Sequence, residues 1–289
     1  MSYALHIGIV LGIFGLLALS LDLVLGKGGM LSLCHAAFYG IGAYASALLM
    51  LRAHVGFVPA CLASAALAAL VSLAISVPAV RLRGDYFVLA SLGLQIMAHT
   101  VIENWESLTQ GTYGLSAIPR PVLLRIAIDS PGLFLAFEAV VAGLVIATIV
   151  AISRSPFGRT LRAIRDDDIA AQAQGKSVMW FKTRAFAVSA ACAAVAGALY
   201  AGYVTYIDPS SFGLPESLFI VACVAIGGAG NTRGPLVGAA VLVLLPELLR
   251  ALHVPDTIAP TVREMVYGAL IVVFMRLRPQ GLFGVYLYR

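Results

Sequence analysis

The chain has 289 residues, of which 61% are hydrophobic and 11% charged, with 19 Lys and Arg against 14 Asp and Glu; its mean hydropathy is +0.95. Soluble domains carry about 25% charged residues, so this composition excludes a soluble enzyme and implies an integral membrane protein. The formal net charge of +5 then reports which helix ends face the cytoplasm and makes no case for nucleic-acid binding.

Apolar runs of membrane-crossing length recur along the chain, without the short alternating segments of a β-barrel. They predict an all-α polytopic membrane protein, a single membrane domain over 1–289 with about nine (eight to ten) transmembrane helices, some broken or short. The expected spans are 3–25, 30–51, 57–80, 86–103, 132–152, 185–207, 216–230, 235–252 and 262–277. The first lacks a basic leader and a small-residue cleavage site and reads as a retained helix. If the polar stretch near 154–184 is cytoplasmic, the opposite side keeps five of the 19 basic residues, Arg52, Arg120, Arg125, Arg250 and Arg263. That asymmetry places the N-terminus outside.

The segment after span 1, Gly26 to Gly42, mixes glycines with Ser32, His35 and Tyr39 at the start of span 2. In the second half, Gly227 and Gly228 open a glycine-rich break between two short apolar runs. Interrupted spans in both halves of a transporter point to the solute route, although glycines equally serve close helix packing. The four cysteines, Cys34, Cys61, Cys192 and Cys223, sit in apolar runs without metal-ligand spacing and read as buried small hydrophobes.

The polar stretch at 154–184 carries Arg159, Arg162 and Arg165 at intervals of three, which predicts a basic helical side near lipid phosphates. Asp166, Asp167 and Asp168 then signal a helix start, and Gly175 a stop, giving a helix of about two turns whose Ala170, Ala171 and Ala173 would let a partner approach closely. Docking to a cytoplasmic partner is the expected role. Gly175-Lys176-Ser177 resembles the end of a phosphate-binding loop, but that motif needs glycine at the position of Ala170. No soluble domain is large enough for a nucleotide site, so energy must come from other subunits.

The runs GGMLSLCHAAFYGIGAY from Gly28, LRGDYFVLASL from Leu82, SPFGRTLRAIRDDDIAAQAQG from Ser155, FKTRAFAVSAACAAVAGALYA from Phe181, IGGAGNTRGPLVGAA from Ile226 and RPQGLFG from Arg278 resemble, in order, the LivM-type permeases of branched-chain amino-acid ABC importers. That family also includes permeases for urea and short-chain amides. The resemblance implies a non-catalytic transport subunit of the bacterial inner membrane, with no cofactor or metal of its own. It also implies a homologous LivH-type permease as heterodimer partner, two cytoplasmic ATPase subunits that hold ATP and Mg, and a periplasmic substrate-binding protein.

By position, Ile169, Ala170, Ala171 and Gly175 match the family's coupling loop, with Ile169 where the general motif is acidic and Asp168 beside it. Arg162, Asp166, Asp167 and Asp168 complete the expected ATPase-coupling surface. In span 4, Gln95 and His99 stand where many relatives are charged, as does Asp22 where many carry Asn. The expected translocation path is therefore Ser32, His35, Tyr39, Gln95, His99, Gly227 and Gly228. Two other classes were weighed. An ion-coupled secondary transporter needs a relay of ionisable groups, and Asp22, Glu138 and Glu247 form no series; a membrane scaffold would have no use for interrupted spans.

The topology is testable by labelling. In a cysteine-free background, single cysteines at Lys176 and Arg278 should react with an impermeant maleimide only after the cytoplasmic side is opened, and one at Gln110 should react in intact cells. Labelling of the Lys176 position in intact cells would reverse the orientation.

Overall fold

A computed structural model describes residues 2–80, 82, 84–123, 126–128, 130–251, 265–270, 272–273, 276 and 280–284. The long helices in chain order are α1 (Ser2–Val24), α2 (His35–Arg52), α3 (Phe57–Ala79) and α4 (Asp85–Asn104); after the short α5 (Glu106–Thr109) and a two-residue strand pair, β1 (Val122–Leu123) with β2 (Ile126–Ala127), comes α6 (Pro131–Arg154). Then follow α7 (Pro156–Asp166), α8 (Asp168–Ala173), α9 (Val178–Val204), α10 (Leu214–Gly227) and α11 (Arg233–Ala251).

Six helical segments among the described residues are long and apolar enough to cross a membrane: α1, α3, α4, α6, α9 and Pro209–Gly227, which contains α10. The chain is a multi-pass membrane protein, and three of the nine expected spans are not among these six described segments. The expected second span, 30–51, loses its first turn, because residues 29–34 are irregular and α2 starts only at His35. The eighth contains Pro246, and its shorter apolar run is Arg233–Pro246. The ninth, 262–277, falls largely outside the described residues.

The centre of the bundle is α9, which packs on α1, α2 and α3, while α1 also receives α6, α10 and α11. Of their apolar windows, α9 and α1 bury 78% and 67%, against 17% for α6 and 22% for α4, so the first pair is core and the second lies at the outside of the bundle. In lipid no hydrophobic driving force brings helices together, and association rests on close backbone contact, for which small residues are needed. The inward face of α9 supplies them as Ala185, Ala190, Ala193, Ala194, Gly197, Ala198 and Ala201, all buried.

The contact between α9 and α2 is backbone on backbone. A Cβ added at Gly197 would land on the Tyr39 carbonyl, and one at Gly42 on the backbone of Ala194. Gly197→Val should therefore force α2 and α9 apart at a cost of about 1–3 kcal/mol. The check is thermal unfolding of the purified protein, with Gly93→Ala, at an open position on α4, as the tolerated comparison.

Candidate coupling helix and broken-helix junction

The polar stretch at 154–184 is not a solvated loop. It folds into α7, α8 and the first two turns of α9, leaving 174–177 as the connector. Ser155 caps α7, its side chain accepting from Gly158 N–H, with Pro156 at the first helical position where its missing N–H costs nothing. Gly158, Leu161 and Ile164 are buried, with Leu161 clustered against Leu23 of α1 and Ala185 of α9. This amphipathic helix lies across the ends of the spans.

The three arginines bond backbone carbonyls, which their spacing alone did not indicate. Arg165 donates to the Gly26 carbonyl at 2.7 Å and Arg162 to the Ser153 carbonyl at 3.2 Å, both half-buried, while Arg159 reaches Arg154 O at 3.1 Å. Rather than spreading into a lipid-facing row, they donate to the carbonyls at the end of α6 and in the turn after α1. Helix ends leave carbonyls without intrahelical donors, and a guanidinium offers five N–H groups to satisfy them.

Asp167 caps α8, its carboxylate accepting from Ile169 N–H and Ala170 N–H at 2.9 Å each. At the other end Gly175 N–H bonds Gln172 O at 2.8 Å and Lys176 N–H bonds Ala171 O at 3.1 Å, with Gly175 at φ +76. This is the two-bond Schellman ending, whose left-handed residue favours glycine. Within the helix the side chains sort differently from the expectation. Ala171 is buried, whereas Ile169 is 65% exposed and Ala170, Gln172 and Ala173 lie open beside it. The surface offered outward is centred on Ile169. Asp166 and Asp168 flank the cap, and Asp166 pairs with Arg165 at 2.8 Å.

Deep in the bundle, the expected path residues Ser32, His35, Tyr39 and Gln95 gather around the start of α2. Gln95 Oε1 accepts from Ala37 N–H at 2.8 Å and from Ser217 Oγ at 3.1 Å, while its amide donates to the Phe212 carbonyl at 2.8 Å. Ser217, in the first turn of α10, also accepts from Ala36 N–H at 3.0 Å. One glutamine and one serine thus bond the opening amides of α2 and tie α2, α4 and α10 together. His35 Nε2 meets Ser20 Oγ at 2.7 Å, Ser32 Oγ meets Cys34 Sγ at 3.2 Å, and the Tyr39 ring packs on Tyr200 and Phe212. His99, one turn further along α4, is half-buried and 3.6 Å from Glu103.

Gly227 and Gly228 are not part of this cluster. They end α10, ten residues beyond Ser217 and about 15 Å along the axis, where Gly227 meets the backbone of Gly234 and Gly238, and Gly228 that of Gly281 and Gly284. Leu282 N–H and Phe283 N–H bond the carbonyls of Ile226 and Gly227, each at 2.9 Å, so residues 280–284 close onto the glycine break. Beside it, Asp22 accepts from Gly230 N–H at 2.6 Å and lies 3.8 Å from Lys27, both carrying groups fully or almost fully buried. Burial lowers the pKa of the Lys27 ammonium, the Asp22 carboxylate raises it in part, and Arg162 lowers it further. The roles of Ser217 and of Lys27, which donates to Ser153 Oγ at 2.5 Å, were missed in the sequence. The available signals were a serine in the turn after Gly213-Leu214-Pro215 and a lysine closing an apolar span.

The family described as "Branched-chain amino acid transport system / permease component" matches residues 3–275. The chain belongs to this family. It is 32% identical over 295 residues to the high-affinity branched-chain amino acid transport system permease protein LivM of Escherichia coli strain K12, across 93% of this chain and 67% of that protein. A probable LivM of Methanocaldococcus jannaschii is 26% identical over 71% of this chain and 61% of its own length. The LivH permease of Salmonella typhimurium is 24% identical over 96% of this chain and 93% of its own. No solved structure matches the chain.

The junction makes a separable prediction for this family member. Gln95→Leu strips the Phe212 carbonyl of the Gln95 donor, at about 1–3 kcal/mol for a buried group left unbonded, and leaves Ala37 N–H with only its longer bond to the Cys34 carbonyl, whereas the carboxylic acid of Gln95→Glu keeps an acceptor and one O–H donor. Thermal unfolding should rank wild type above Gln95→Glu above Gln95→Leu.

Proposed function

We propose that this chain is the permease subunit of an ATP-binding-cassette importer that moves branched-chain amino acids inward across the bacterial inner membrane. The observation that carries the reading is the family match over residues 3–275, supported by relatives named as branched-chain amino acid permeases of both the LivM and LivH types. On this reading the membrane unit pairs with a homologous permease, two ATPase subunits bind ATP and Mg on the cytoplasmic side, and a periplasmic binding protein delivers the solute. The subunit itself does no covalent chemistry.

The coupling surface is α8. An isolated six-residue helix does not persist in water, but Asp167 and the Gly175 ending hold this one, and Ala171 anchors it inward. Its exposed Ile169 and Ala170 form a small apolar contact that an ATPase groove can take. Closure of the ATPases would press on α8, and the load would pass to α7, through Arg162 and Arg165 to the ends of α6 and α1, and to the base of α9. The solute route is proposed to open at the junction of Ser32, His35, Tyr39, Gln95 and His99, with Gly227 and Gly228 as a close-packed pivot.

Ile169→Asp should place a charge in the contact and lower leucine uptake by the complex about ten-fold or more, with loss of ATPase co-purification. Gly175→Val should act similarly by disfavouring the left-handed conformation. Tyr113→Ser, at an exposed residue of the opposite end, should transport normally. Competition of leucine uptake by urea or short amides at equal concentration would reassign the solute, and normal uptake by both α8 variants would remove α8 from coupling.

A further inference from the structure

Where α1, α6, α7 and α11 meet at the basic end of the bundle, a cleft is lined by Lys27, Ser153, Arg154, Arg162, Asn231 and Arg233, with Val150 of α6 as apolar wall. Four cationic side chains from four different parts of the chain face one space, and no Asp or Glu is among the lining residues. The nearest acid, Asp22, sits behind Lys27 at 3.8 Å and offsets one of the four charges. Lys27 is 2% exposed, and its ammonium, held by Ser153 Oγ, retains donor capacity, since an ammonium has three N–H groups.

Asn231 Oδ1 accepts from Arg233 N–H at 3.3 Å, so the cleft also receives the start of α11, a 19-residue helix whose dipole adds positive potential there. Four like charges gathered around a cavity repel one another and are stabilised by an anion with several acceptor oxygens. The apolar Val150 belongs to α6, a membrane-length helix of which 17% of the apolar window is buried within the chain. That places the cleft at the boundary between acyl chains and headgroups.

We propose that this cleft is a phosphate-binding site whose occupant is the headgroup of an anionic phospholipid, with free phosphate as the other source of the same chemistry. Lys27 and Arg162 form its fixed inner wall, held by Ser153 Oγ and the Ser153 carbonyl. Arg154 and Arg233, both exposed, are the outer arms that close on the phosphate. The bound headgroup would neutralise the charges that these four elements bring together. This reading does not depend on the identity of the transported solute.

The test is equilibrium binding of labelled phosphatidylglycerol to the delipidated, purified complex in neutral detergent, with phosphatidylcholine and inorganic phosphate as competitors at constant ionic strength. Expected is saturable binding of one phosphatidylglycerol per chain, poorly displaced by phosphatidylcholine. Arg154→Gln and Arg233→Gln should each weaken it by about ten-fold, the worth of one charge-assisted hydrogen bond. Lys176→Gln with Arg184→Gln removes two charges from the same end outside the cleft, one more than either cleft variant, and should leave it unchanged. Displacement by millimolar inorganic phosphate would name free phosphate as occupant and keep the site. The proposal is overturned if phosphatidylcholine binds equally, or if the control pair weakens binding as much as the cleft variants. It is likewise overturned if binding appears only once the ATPase subunits are stripped away, since the cleft would then be a protein contact.

Discussion

The backbone amides of Ala36 and Ala37 open a helix that begins inside the bundle, where an unbonded N–H costs several kcal/mol. Ser217 of α10 takes the first, and Gln95 of α4 takes the second, which also reaches the Cys34 carbonyl at 3.2 Å. Because Gln95 also holds the Phe212 carbonyl, satisfying α2 simultaneously fixes α4 and the approach to α10. The positions of three helices follow from one break in a fourth segment's regularity.

The opposite end obeys the same rule with different chemistry. Turns after α1, α6 and α10 leave carbonyls and amides that Arg165, Arg162, Asp22 and the backbone at 282–283 satisfy. The basic residues there serve the molecule's own backbone as much as its surroundings. Between the two ends, alanine and glycine contacts along α9 pack it backbone to backbone on α2.

Much of this was legible in the chain. The Asp166-Asp167-Asp168 start and the Gly175 stop located α8, because a cap and a left-handed ending are local events that depend on a few neighbouring residues. The apolar runs at 3–25, 57–80, 86–103 and 132–152 located α1, α3, α4 and α6 for the same reason. What local pattern could not supply was which side of a helix looks inward. Ala171 and Ile169 differ by two residues, yet the alanine is turned to the protein and the isoleucine outward, a matter settled by how α7 and α9 frame α8. Likewise the spacing of Arg159, Arg162 and Arg165 read as a lipid-facing row, and only the nearby helix ends drew two of them in. The expected span 30–51 begins with an irregular stretch before His35, because hydropathy does not register backbone bonding.

One element joins these regions mechanically. α9 runs unbroken from Val178 to Val204, 27 residues or about 40 Å, with its base against α7 and α8 and its body against α1, α2 and α3. A stiff rod seated at one end beside a small capped helix behaves as a lever whose fulcrum is the Gly197–Tyr39 backbone contact. A tilt of about 5° around that contact moves the base, roughly 28 Å away, by about 2.5 Å and the far end, roughly 10 Å away, by about 1 Å, without unwinding a single turn.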